Sequence, residues 1–122
     1  MANVLNWFEI PVEDLNRAVD FYSKVLGREF QIMDFFGFKM AFFPMESDGV
    51  GGGLVQGEPY KPSQDGSLIY LNANPDLAIP LSKVVAAGGK VIAPKKLISE
   101  EIGYMALFID SEGNRVALHS MK

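Results

Sequence analysis

The stretch Trp7-Phe8-Glu9-Ile10-Pro11-Val12-Glu13-Asp14-Leu15 changes its hydrophobic period in the middle. Up to Pro11 it alternates, as a strand does over residues 4–12. Leu5, Trp7 and Glu9 share one face, and Val4, Asn6, Phe8 and Ile10 share the other. From Asp14 onward the period is helical. Leu15, Ala18, Val19, Tyr22, Val25 and Leu26 fall on one face, and Gly27 sits where a helix would be closed by a left-handed residue. Three strand candidates follow this single helix, over 28–35, 38–43 and 50–55.

The second half repeats the order. A strand is predicted over 67–73, a helix over 76–87 stopped by Gly88-Gly89, and strands over 90–92, 103–109 and 114–119. Pro80 lies near the first turn of the second helix, where a missing amide costs little. Asp14-Leu15 and Gly27-Arg28 share one offset with Asp76-Leu77 and Gly89-Lys90. After a small insertion Gly37-Phe38 pairs with Gly103-Tyr104, Phe42 with Phe108, and Gly49 with Gly113. A repeat of half a domain's length, present twice, points to a duplicated βαβββ module within one domain over 1–122. The modules span 3–55 and 67–120, joined by a Gly/Pro-rich connector over 56–66.

Composition narrows the chemistry. The 122 residues carry 11 Lys+Arg against 15 Asp+Glu, with no basic run to follow a row of phosphates, so nucleic acid is not an expected partner. The absence of Cys excludes disulfides, thiolate metal sites and cysteine nucleophiles. His119 is the only imidazole, which excludes sites built on two. No segment reaches the roughly 18 consecutive apolar residues of a membrane span, and Met1-Ala2-Asn3 does not begin a signal peptide, so a cytoplasmic location is expected.

The opening stretch, Ala18-Val19-Asp20-Phe21-Tyr22 with Val25-Leu26-Gly27 after it, and the turn Asp110-Ser111-Glu112-Gly113-Asn114-Arg115 together resemble the vicinal oxygen chelate superfamily. That group includes glyoxalase I, extradiol dioxygenases, and fosfomycin and bleomycin resistance proteins, and the likeness covers essentially the whole chain. It implies an α+β fold in which two tandem βαβββ modules form a cupped mixed sheet with helices outside. It also implies a homodimer. Metal-using members set His, Gln or Glu at four cup-facing positions. Here these fall on Trp7, Gly53, Ala117 and either Leu68 or Ile69, none of which offers a side-chain donor to a divalent cation. No cofactor is therefore expected, and a metal only if those positions are misassigned.

Within such a cup, alternation places Trp7 with Glu9 and Ala117 with His119. If the inserted residue follows Ala73, Leu68, Tyr70 and Asn72 join them. Phe38, Met40 and Tyr104 on the middle strands complete the expected ligand pocket. Aromatics such as Phe35, Phe36, Phe42, Phe43 and Tyr60 read equally as packing, and Met40 and Met45 as gap fillers. The run Gly51-Gly52-Gly53 lacks the helix start and Lys of a phosphate loop and reads as a bend or bulge passed closely by a bulky group. Glu9 in an apolar strand needs water or a partner. It reads either as a general base or ligand acceptor, or as half of a structural contact with His119 or Arg115. Two functions follow: a metal-free protein that binds an unidentified small molecule, or a lyase or isomerase using Glu9 and His119 as an acid–base pair.

Overall fold

The computed structural model describes residues 3–35, 37–45 and 48–122. Phe36, the Phe35 side chain and the first two residues, all part of the sequence reading, lie outside what is described. The chain runs β1 (Trp7–Pro11), α1 (Leu15–Leu26), β2 (Gln31–Phe35), β3 (Phe38–Phe42) and β4 (Gly51–Gln56). It continues with β5 (Tyr70–Asn72), α2 (Ala78–Leu81), α3 (Val84–Ala87), β6 (Lys90–Ser99), β7 (Gly103–Ile109) and β8 (Arg115–Ser120). Two four-stranded mixed sheets result, in the orders β1-β4-β3-β2 and β5-β8-β7-β6. In each, the first and last strands of a half are parallel neighbours and the other pairs are antiparallel.

Local chemistry explains the helix ends. Asp14 caps α1 by accepting the Arg17 amide at 3.1 Å. Gly27 closes it at φ 66°, a conformation that other residues adopt only with strain. The amide of Leu15 is met by the Gln56 side chain at 2.8 Å, and that of Leu77 by the Ser120 hydroxyl at 2.9 Å. The end of each half's last strand therefore satisfies the start of its own helical segment.

The buried seam of α1 is Leu15, Ala18, Phe21, Tyr22 and Val25, at helical spacing. It reaches both sheets. Phe21 and Tyr22 stack on Phe108 of β7 at 5.9 and 6.4 Å, and Tyr22 also meets Phe43 at 5.7 Å, so one hydrophobic core unites the halves.

Two elements differ from the sequence expectation. The single helix over 76–87 is two four-residue helices. The Ser82 amide still closes on the Ala78 carbonyl at 3.1 Å, whereas the Lys83 amide turns to the Pro80 carbonyl at 3.0 Å, a three-residue step that interrupts the helical ladder between the two. The strand expected to stop at residue 92 continues through Pro94 to Ser99. β6 is the sheet's edge, and its pairing with β7 shifts register between Ala93 and Lys96, a place where a strand tolerates proline.

The joint between the halves is polar as well as apolar. The Glu112 carboxylate, its side chain fully buried, accepts the Arg17 guanidinium at 2.7 and 2.9 Å and the amides of Glu13 and Asp14 at 2.9 and 2.8 Å. The Tyr22 hydroxyl donates to Asp110 at 2.6 Å, and Asn114 donates to the Pro11 carbonyl at 2.7 Å. Burial, then the Asp110 carboxylate, push the Tyr22 phenol well above its ordinary pKa, so it stays a donor. Burial pushes Glu112 up, but hydrogen bonds from Arg17, the Asp14 amide and Ser111 outweigh it, leaving its carboxyl below the usual range.

Candidate functional site

The open face of the first sheet, opposite α1, carries Trp7 and Glu9 on β1, Phe38, Met40 and Phe42 on β3, and Gly53 and Val55 on β4. Glycine makes room on both sides of β4. A Cβ at Gly51 would collide with the Met45 thioether and crowd Trp7, and one at Gly52 would overlap the Phe8 ring beneath. β4 keeps regular register with β1 and β3, so the glycines serve close approach and no bulge forms.

Two hollows lie on this face. The first, of about 460 Å³, is lined by Trp7, Glu29, Gln31, Phe42, Phe43, Pro44, Met45 and Gly52. The second, of about 380 Å³, is lined by Trp7, Glu9, Phe38, Met40, Phe42, Val55 and Tyr60. Trp7 and Phe42, packed edge-to-face at 5.8 Å, form the ridge they share.

Glu9 is met by a residue from the connector. The Tyr60 hydroxyl donates to its Oε1 at 2.6 Å, and the Trp7 indole N–H reaches Oε2 at 3.4 Å. The hydrogen bond to Glu9, then partial desolvation, raise the Tyr60 phenol above its ordinary pKa. Phe38 packs on Tyr60 at 5.5 Å with the rings nearly perpendicular. By sequence alone Tyr60 is one of the aromatics that read equally as packing. Its signal was a single phenol in a loop otherwise rich in Gly, Pro and polar residues.

Trp7, Glu9, Phe38 and Met40 thus share one hollow, while four other expected pocket residues stand elsewhere. Tyr70 and Asn72 are exposed on the open face of the second sheet, paired with Ala117 and His119. The His119 imidazole is bound through Nε2 to the Ile102 carbonyl at 2.5 Å, so that nitrogen carries a proton. Arg115 lies against the connector, its backbone amide on the Ser63 carbonyl at 3.4 Å, and neither it nor His119 is the partner of Glu9.

Tyr104 is on the other face of its strand, against the core with Lys95 over its ring at 4.6 Å. The cause is a slip of one residue in the internal repeat. Leu54 pairs with Ile10 and Ala41, and Leu118 pairs with Leu71 and Ala106, all of them core residues. Ala41 therefore corresponds to Ala106, Phe43 to Phe108, and Lys39 to Tyr104. Pairing Phe42 with Phe108 moves each residue of that strand by one place and so to the opposite face.

The same ladders decide between Leu68 and Ile69 for the one position that the resemblance leaves open. Ile69 packs against the core, which leaves Leu68 as the residue corresponding to Trp7. Indole, glycine, leucine and alanine carry no side-chain metal donor, so a divalent ion held at the four positions does not fit this chain. Among the described residues no three or more His, Asp or Glu side chains cluster as a metal site.

Comparison with known proteins agrees with this architecture. A family model described as bleomycin resistance protein-like N-terminal matches residues 5–43. A glyoxalase/bleomycin resistance protein from Albidiferax ferrireducens superposes with a TM-score of 0.71 at 18% identity, covering 95% of this chain and 97% of that one. A fosfomycin resistance protein from Listeria monocytogenes superposes with a TM-score of 0.65 at 18% identity, covering 98% and 92%. Glyoxalase I from Zea mays gives a TM-score of 0.69 at 20% identity, with 95% of this chain spanning 45% of that longer one. No curated protein matches. The chain has the glyoxalase/bleomycin resistance fold. The match to the bleomycin resistance protein-like model covers β1, α1, β2 and β3, which supply much of the lining of both hollows.

Proposed function

We propose that this protein binds a small, largely apolar molecule in the paired hollows of its first sheet, without a divalent metal at the four family positions. One observation carries the reading: two adjoining hollows with aromatic and aliphatic walls meet at Trp7 and hold few polar groups. The lyase or isomerase alternative needs Glu9 and His119 on one ligand. Glu9 is engaged by Tyr60 and Trp7, His119 by the Ile102 carbonyl, and His119 lines neither hollow, which favours binding over acid–base turnover. The same reading takes the protein as a cytoplasmic homodimer, checked by sedimentation equilibrium and cell fractionation. Among the described residues no helix is long and apolar enough to cross a membrane.

The test is a small-molecule screen by thermal shift and calorimetry, with elemental analysis of the purified protein. Trp7→Ala removes the shared ridge and is expected to weaken any hit by about tenfold or more, roughly the contribution of one buried aromatic contact. Unchanged affinity in that variant would remove the hollows from consideration, and stoichiometric bound metal would overturn the metal-free reading.

A further inference from the structure

Resting on that reading, we infer that the ligand is an organic cation, a quaternary or tertiary ammonium compound, held in the hollow where Glu9 is surrounded by Trp7, Phe38, Phe42 and Tyr60. The polar hydrogens of that hollow decide it. Among its lining residues only Trp7 and Tyr60 carry side-chain donors, and both are directed at Glu9, at 3.4 and 2.6 Å. An anion or a neutral acceptor entering there meets no free side-chain donor. What remains exposed to a ligand is one carboxylate, π-systems and apolar side chains, all of which favour positive charge or apolar bulk.

The walls suit a rounded cation. Trp7 with Phe42, at 79° between planes, and Phe38 with Tyr60, at 84°, present rings in crossed orientations, so an alkylammonium group meets ring surfaces on more than one side. The ammonium of such a group has few or no N–H bonds to satisfy, which fits a site whose acceptor is already hydrogen-bonded. The neighbouring hollow adds a second carboxylate, Glu29, and neither hollow is lined by Lys or Arg. Charge and shape thus point the same way.

Fluorescence of Trp7, the only tryptophan, reports binding directly. The probes are choline and its uncharged analogue in which a tert-butyl group replaces trimethylammonium. Choline is expected to bind about fivefold or more tightly than the analogue, with the preference weakening as salt is raised. Glu9→Gln, with its fold checked by circular dichroism, is expected to reduce the preference toward parity by lowering choline's affinity more than the analogue's. If Glu9→Gln does not fold, the salt series on the unaltered protein decides between cation and neutral recognition. Equal affinities, or binding of the analogue alone, overturn the cation proposal and leave the apolar pocket intact. Failure of both probes to perturb Trp7 up to tens of millimolar overturns the cation proposal, and the broader screen with Trp7→Ala then decides the pocket reading by itself.

Discussion

The two halves of this chain share one strand plan and differ in what they display on it. Glu9 of the first sheet corresponds to Tyr70 of the second, Trp7 to Leu68, Gly53 to Ala117, and Phe42 to Leu107. In the first half, rings stand over a glycine-rich strand and leave hollows between them. In the second, aliphatic residues and Ala117 occupy the corresponding places, and Tyr70 and Asn72 stand exposed. The ladder fixes which positions face outward, and side-chain size at those positions decides whether a hollow forms. The helical segments diverge as well: α1 is one capped helix of 12 residues serving both sheets, whereas α2 and α3 are short and bury between them only Val84 fully.

The strongest way to break this comparison is to remove the element the halves share. Phe21, fully buried between α1 and β7, should cost about 3–5 kcal/mol as Phe21→Ala, with both halves unfolding in one denaturant transition. A separate transition for either half would show that the core is not common to them.

Next in size is the clasp at Glu112. Glu112→Gln removes the charge that holds Arg17 and the amides of Glu13 and Asp14 just ahead of α1, and should lower stability by about 2 kcal/mol near neutral pH. The folded carboxyl titrates below its usual value. Its stabilisation is therefore present above the unfolded pKa and is lost as pH falls through the folded one. The gap between the two proteins should close in acid, and a gap unchanged between neutral pH and about pH 3 would show that the charge is not what matters.

A smaller effect sharpens the contrast between faces. Tyr70→Ala should change the affinity of a ligand identified in the first half by less than about twofold, where Trp7→Ala costs about tenfold. Comparable losses in calorimetry would mean that the second face also reaches the ligand. Smallest is Pro80→Ala, expected to shift stability by less than about 1 kcal/mol because the proline already sits in a first turn. A larger gain, read from the denaturation midpoint, would show that Pro80 is the main reason the second helix is split.

Much of the fold was legible because its signals are local. The switch from period two to helical spacing at Asp14 and the closing Gly27 mark α1, and alternation set Trp7 and Glu9 on the face away from Ile10. Donor chemistry at Trp7, Gly53, Leu68 and Ala117 was equally a matter of residue identity. The site was less legible. Phe21 was absent from the predicted helical face, although it is fully buried. Tyr104 was placed one residue out of step because glycine and aromatic matches are too sparse to fix the register of a strand, and a single slip reverses its faces.

By itself, then, the sequence determined the order of elements, the alternation of each strand and the donor-poor character of the four family positions, since each follows from residues close together in the chain. Tertiary structure alone decided that Tyr60 reaches Glu9, that His119 turns to Ile102, and that Glu112 closes on Arg17. The last of these contacts spans 95 positions of chain. Such partners are chosen by which surfaces the shared core brings together, and no local pattern records that choice.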